Sequence, residues 1–313
     1  ERGEFDSFKA RIFSGRAGIH YGLGKFRESI DYHRASSMWA IRTGQQFEFL
    51  AACSGEAVDQ MILANYDRAL SCAREAYRVA CEIGNEYEAV KNMETEALCL
   101  NLIGDSAGAE EVAERMLQAS EKFGHSTVAP RALLLAGILA QGRAEVRRAR
   151  DLLERAESML LESRDWEDLP IVQIELQLLR AQEHAEASLR AVLGIVEESV
   201  KTGALTVQLR GCVVLGEILM ASEIDNSDYT AVLTDGLGRA GNAGACEDEW
   251  RLNYALGVLA LRDGDTRGAM IRLSQALRVF RAIADRLIPS HRKFYLETAH
   301  AKRLLSRVSQ PTD

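Results

Sequence analysis

Residues 57–84 read AVDQMILANYDRALSCAREAYRVACEIG, from Ala57 to Gly84. Apolar residues recur at helical spacing up to Ile62, and a three-residue turn follows (Ala64-Asn65-Tyr66). A second helical run comes next, and Gly84 stops it. The same plan returns along the chain at an interval of forty residues. Stepping by forty from Ala69 reaches Ser29, Ala109, Ala149 and, past two divergent repeats, Ala269. A second track of small residues, seven further on, gives Ser36, Ala76, Ala156 and Ala276, with Met116 in the third slot. The turn recurs as Gly24-Lys25-Phe26, Gly104-Asp105-Ser106 and Gly264-Asp265-Thr266. Glycines close the second helix at Gly44, Gly84 and Gly124, with Gly203 and Gly244 further along. A helix often ends on a left-handed residue, which only a side chain without Cβ adopts cheaply.

A helix pair cannot bury its apolar stripe alone, so each pair stacks on the next and shares a continuous core. Small residues belong where the two helices of a pair cross closely. Larger ones such as Leu70, Tyr77, Leu152, Leu153, Leu273 and Phe280 fill the space between pairs. Helix pairs are expected at 8–43, 46–83, 86–123, 127–163, 168–202, 205–240 and 246–286. Asn85 with Glu88 three residues on has the form of a capping box, and Asp168 precedes a helix with Pro170 in its first turn. The fifth and sixth pairs are the least regular: Gln182–Glu186 replaces the glycine turn, and Ala221–Asp228 is a longer polar connection.

With these tracks in hand the chain resembles the tetratricopeptide repeat (TPR) family over residues 8–286. That motif has small and aromatic residues in the first helix, a Gly-X-aromatic turn, and two alanines seven apart in the second helix. Here Gly24–Ser36, Ala57–Ala76 and Gly257–Ala276 match it best, the last through Leu256-Gly257, Gly264, Ala269 and Ala276. The forty-residue period exceeds the usual thirty-four, and the proline that often closes a TPR is absent. The longer period is similar to the TPR-like sensor regions of large bacterial regulators, such as signal-transduction ATPases and maltose-type transcription activators. The resemblance implies an all-α fold: a right-handed α-α superhelix of about seven helix pairs plus a C-terminal capping helix. Residues 1–7 are expected to be a polar linker remnant, and 287–313 the capping helix and tail, with one amphipathic helix over His291–Val308.

Composition agrees with this class. Hydrophobic residues make up 47% of 313, which excludes global disorder. Four prolines and no alternating β-branched runs favour helices throughout. A net charge of −8 speaks against direct nucleic-acid binding, since phosphate binders show a basic excess. The densest basic run, Arg143 to Arg150, is interrupted by Glu145 and reads as a solvated helix face. No apolar segment approaches the roughly 20 residues needed to span a bilayer. The chain opens Glu1-Arg2-Gly3, as an excised piece of something longer would. Six cysteines without CxxC spacing (Cys53, Cys72, Cys81, Cys99, Cys212, Cys246) read as reduced, buried small hydrophobes of a cytoplasmic protein.

No catalytic constellation stands out. Gly236-Leu237-Gly238-Arg239-Ala240-Gly241 is a literal GxGxxG, but a dinucleotide site needs that motif after a strand. Here it follows a helical run, Asp228–Asp235, and reads as a helix ending. Gly22-Leu23-Gly24-Lys25 is the ordinary repeat turn. The six histidines (His20, His33, His125, His184, His291, His300) show no metal spacing, and His20 and His33 take repeat positions usually given to aromatics. No cofactor and no metal ligand set is expected.

A TPR array implies a groove lined by its first helices, where peptides dock. The repeat phase places Arg11, Tyr21, Lys91, Asn101, Arg131, Gln177, Arg180, Arg210 and Arg251 towards it, with Glu94, Gln141, Gln173, Glu217 and Tyr254. Arg11, Lys91, Arg131, Arg210 and Arg251 share one repeat position, and a line of cations suits an acidic peptide or a carboxylate. The expected function is a non-catalytic protein- or peptide-binding sensor of a larger cytoplasmic bacterial signalling or transcription-regulating protein. Two alternatives stay open: the recognition module of a multidomain enzyme (protease, kinase, cyclase or ATPase), and a scaffold or self-assembly module that forms homo-oligomers.

Overall fold

The points where the backbone turns left-handed are the metre of this chain, and they fall about every twenty residues. Within pairs they are Gly24 (φ 69°), Ala64 (55°), Gly104 (92°), Ala144 (60°) and Gly264 (84°). Between pairs they are Gly44 (70°), Gly84 (72°), Arg164 (56°), Gly203 (75°) and Gly244 (73°). The residue after each turn point commonly donates its N–H to the carbonyl five residues back. Examples are Gln45 to Ala40 (2.9 Å), Asn65 to Gln60 (2.8 Å) and Asp265 to Ala260 (2.9 Å). This closure satisfies carbonyls that a helix end otherwise leaves bare.

The computed structural model describes residues 2–123, 128–164 and 167–309, and every element among them is a helix. Gly124 and His125 lie outside the described residues. Two compact units divide the chain, Glu1–Ala136 and Gly137–Asp313. The first holds α1 (Arg2–Gly22), α2 (Phe26–Thr43), α3 (Gln46–Ile62), α4 (Tyr66–Glu82), α5 (Glu86–Ile103), α6 (Ser106–Phe123) and the start of α7 (Ala129–Gly142). The second holds the end of α7, then α8 (Val146–Ser163), α9 (Leu169–Thr202), α10 (Leu205–Ala221), α11 (Ser227–Ala243), α12 (Cys246–Arg262), α13 (Thr266–Ala284), α14 (Pro289–Glu297) and α15 (Ala299–Ser309). Within each unit consecutive helices pack in pairs, and first helices also touch first helices, as α1 does α3 and α10 does α12.

Both small-residue tracks are buried at 0% exposure: Ser29, Ala69, Ala109, Ala149 and Ala269, then Ser36, Ala76, Met116, Ala156 and Ala276. The two serines stay satisfied because Ser29 donates to the Ala17 carbonyl (3.0 Å) and Ser36 to that of Ala10 (2.8 Å). Opposite the tracks, Gly137 and Gly257 make room for a leucine of the partner helix. A Cβ there would stand 2.7 Å from Leu153 and 2.9 Å from Leu273. Each such leucine contributes about 2 kcal/mol on full burial.

Four expectations meet the structure here. α1 is helical from Arg2, where residues 1–7 were expected to be a polar linker remnant. The fifth pair is two helices joined within α9, whose backbone leaves helical geometry at His184 (φ −138°, ψ 56°), inside the Gln182–Glu186 stretch expected in place of the glycine turn. The chain turns back there: a Cβ on Gly211 would lie 3.6 Å from Ile174 and 3.8 Å from Val192. In a straight helix those two residues would be about 27 Å apart. The tail is two helices, since Thr298 takes extended geometry (ψ 150°) and its hydroxyl accepts from the Ala301 N–H (3.2 Å), capping α15. The GxGxxG segment is helical throughout, inside α11, and Gly236 is there because a Cβ would sit 2.7 Å from Cys212 Sγ.

The expected capping box at Asn85 is half made. Asn85 Oδ1 accepts from the Glu88 N–H (3.2 Å), while the Glu88 carboxylate turns instead to Ser54 (3.3 Å) and Lys91. The irregular connection after α10 is clamped by Arg262, which donates to the carbonyls of Leu219, Ser222 and Ile224.

Candidate peptide-binding face

Charged side chains on the first helices form paired rungs from one helix to the next. In the first unit Arg11 on α1 meets Glu48 on α3 (3.4 Å), and Arg131 on α7 meets Glu94 on α5 (3.3 Å). Lys91 pairs along its own helix with Glu88 (3.9 Å). Asn92 donates to Ser54 (2.7 Å), joining α5 to α3. A second row links two of the second helices to the next first helix: Arg34 of α2 to Glu56 (3.1 Å) and, forty residues on, Arg74 of α4 to Glu96 (2.6 Å). Glu56 also takes Arg68 (3.3 Å).

The second unit carries a denser cluster. Arg210 on α10 grips Glu175 on α9 through two parallel bonds, 2.6 and 2.9 Å. Such a fork is the strongest form of guanidinium–carboxylate contact. Arg251 on α12 reaches Glu247 (2.9 Å) and Glu217 on α10 (3.9 Å). His300 on α15 approaches Glu217 (3.6 Å), and the Tyr295 hydroxyl of α14 donates to Glu247 (2.9 Å). The terminal helices are thus tied to this cluster as well as to the core, where Tyr295 stacks on Phe280 with ring centroids 5.0 Å apart.

Burial sets the electrostatics of the cluster. It pulls the Arg210 guanidinium down, but Glu175, Glu217 and Asp248 hold it above its ordinary value. Burial pushes the Glu217 carboxyl up; the hydrogen bond from His300 and the charges of Arg210 and Arg251 overcome this and leave it at about 2. Asp248 is pushed up to about 6 by burial, with Arg251 and Arg210 pulling down and Glu247 pushing up.

Of the nine residues singled out in the sequence, five are cations that hold a carboxylate in the manner above. Gln177 is half-buried on α9, and Asn101 is half-buried on α5, where its carbonyl accepts from the Gly104 N–H (3.0 Å). Tyr21 is exposed and sets its ring edge on Phe26 (5.6 Å). Arg180 faces the preceding second helix, pairing with Glu154 on α8 (3.8 Å), as Gln173 does with Glu157 (3.3 Å). The carboxylates Glu48, Glu175 and Glu247 complete the rungs and were not picked out from the sequence; the Glu56 and Glu96 pair, forty apart, was the available signal. Among the described residues no group of histidine, cysteine and acidic side chains could hold a metal ion, and no helix is long and apolar enough to cross a membrane. All six cysteines are free thiols, and burial pushes those of Cys53 and Cys212 up to about 12.

No family model matches the chain, and no curated protein matches it in sequence. Solved structures do match in fold. A Rap protein complexed with competence and sporulation factor is 11% identical, covers 89% of this chain and 77% of its own, and superposes with a TM-score of 0.69. Aspartyl phosphate phosphatase F from Bacillus subtilis is 11% identical, with 89% and 72% covered and a TM-score of 0.63. A Rap conjugation gene regulator of a plasmid, in complex with a Phr peptide, is 12% identical, with 98% of each chain covered and a TM-score of 0.59. The chain therefore has the fold of the TPR-like helical-repeat proteins. Within that class its fold is similar to that of the Rap proteins.

Proposed function

We propose that this chain is a non-catalytic, peptide-binding regulatory module of a cytoplasmic bacterial signalling or transcription-regulating protein. The observation that carries the reading is the shared fold with two proteins whose structures hold a signalling factor or a peptide, one of them over 98% of both chains. The paired charges on the first helices support it further. They offer an extended ligand fixed donors and acceptors whose geometry is already organised, which lowers the cost of binding. An acidic ligand would exchange partners with Glu88 or Glu94 instead of meeting bare cations. On this reading residues 8–286 form the binding array and 287–313 its cap.

Calorimetric titration of the chain with short synthetic peptides, graded from acidic to apolar, tests the proposal. Binding by one class is expected, and Lys91→Glu, Asn101→Ala or Gln177→Ala should weaken it by about tenfold or more. Absence of binding across the series, or binding that all three variants leave unchanged, would remove the reading.

A further inference from the structure

A cavity of about 470 Å³ opens between α4 and α6 over the start of α5. Its lining is mainly apolar, from the small Ala80, Ala89, Val90 and Ala119 with the larger Tyr77 and Met93. Arg115 and Gln118 of α6 supply polar groups. Glu86, at the head of α5, also lines the space and repels a carboxylate placed beside it. A concave space of this size, apolar with a few polar groups, suits a small molecule.

The preceding repeat puts its own side chains at the matching positions. Forty residues earlier Phe49 stands at the register of Ala89, half-buried and packed on the cluster of Leu50, Ala76, Val79 and Ala80. Val79 likewise stands at the register of Ala119. The step to the next repeat thus exchanges a benzyl ring and a branched chain for two methyl groups. Tyr77 and Met93, at the registers of Ser37 and Cys53, keep the walls bulky. The charges change as well. Glu75 and Arg78 hold each other at 2.6 Å, and at their registers stand Arg115 and Gln118. Arg115 is exposed, lies over the Tyr77 ring at 5.4 Å and has no carboxylate partner among the described residues. A ring-sized apolar space beside an unpaired guanidinium is complementary to a ring that carries an anion.

We propose that this cavity binds a small aromatic carboxylate, its ring against Ala89 and Ala119 and its carboxylate on the Arg115 guanidinium. The ring then takes the place that Phe49 holds one repeat earlier. Burial of the ring supplies most of the affinity, and the charge-assisted bond sets the orientation. None of the lining residues belongs to the charged rungs, so the inference goes beyond the peptide-binding reading and does not depend on it.

Calorimetric titration of the 313-residue chain with 3-phenylpropionate tests it. A dissociation constant of about 0.1–1 mM is expected for a ligand of that size. The uncharged 3-phenylpropionamide should bind about tenfold more weakly. Arg115→Gln should cost the acid about tenfold and leave the amide unchanged. Ala89→Phe, which restores the ring of the preceding repeat, should abolish binding of both. Circular dichroism of each variant should match the parent; if Ala89→Phe does not fold, Arg115→Gln, at an exposed position, decides alone. No binding of the acid up to about 10 mM overturns the proposal. So does binding that Arg115→Gln leaves unchanged, equal affinity for acid and amide, or binding that a folded Ala89→Phe retains.

Discussion

Asp59 and His33 occupy positions that other repeats give to apolar side chains. Forty-residue steps from Asp59 reach Cys99, Leu139, Leu179, Leu219 and Leu259; from His33 they reach Ala73, Ala113, Leu153, Leu193, Leu233 and Leu273. The two polar exceptions face each other, His33 Nε2 lying 3.7 Å from Asp59 Oδ2, with Asp59 wholly buried. Burial pushes the Asp59 carboxyl up to about 7, and burial pulls the His33 imidazole down to about 4 against the charge of Glu56. Between about pH 4 and 6.5 the unfolded pair holds one proton, on histidine, and the folded pair also holds one, on aspartate. Folding therefore moves a proton without binding or releasing one, and the pair adds little pH dependence to stability. Single substitutions should unmask opposite slopes. In His33→Ala the raised Asp59 remains, so its contribution is full below the ordinary aspartate value and is lost as pH rises through about 7. In Asp59→Leu the lowered His33 remains, so its contribution is present above the ordinary histidine value and is lost as pH falls through about 4. Urea midpoints measured from pH 4 to 8 check this; slopes of the same sign in both variants would refute it.

At the scale of the element, most helix ends follow one rule. A left-handed residue ends the helix, and most such positions are glycine. Ala64, Ala144 and Arg164 are not, and there the backbone bears a steric cost. Arg164 is exposed, so its replacement loses no packing. Arg164→Gly should stabilise the chain by about 0.5–1 kcal/mol, after allowing for the greater freedom glycine gives the unfolded state. Thermal melts should show a rise of about 1–3 °C. The repeat tracks made these ends legible in advance, because glycine and small residues carry a backbone requirement that survives in one letter. Breaks without such a letter were harder to place. The one in α9 was legible only as the stretch Gln182–Glu186, where His184 bends the chain at a negative φ, and the one at Thr298, which divides the tail by capping α15 with its hydroxyl, was missed. A threonine in a run of helix formers gives little warning of that role.

Across the whole molecule, charge pairing repeats as the helices do, but less evenly. Arg34 with Glu56 and Arg74 with Glu96 keep the forty-residue step, whereas Arg210 with Glu175 is thirty-five apart. The cations could be aligned from sequence; their partners could not, because the divergent fifth repeat breaks the count and a surface arginine looks the same paired or bare. The pairs also carry an energetic signature. Glu175 is 1% exposed, so removing its partner leaves a buried charge uncompensated. Arg210→Met should destabilise by about 3–5 kcal/mol, while Arg210→Met with Glu175→Leu should fall near the parent or above it. Chemical denaturation of both variants decides it; equal losses in the two would show that the arginine stem, not the charge, matters.

The twenty-residue metre has a consequence for how such a chain can change length. One residue added inside a helix rotates everything beyond it by about 100°, carrying core positions to the surface as far as the next joint. Added at Gly203–Ala204 or Gly244–Ala245, where helices already end, the same residue alters only a link. Growth and loss by whole hairpins keep every side facing as before. Insertions that natural or laboratory variation tolerates should therefore gather at the glycine joints, like expansion gaps between rails.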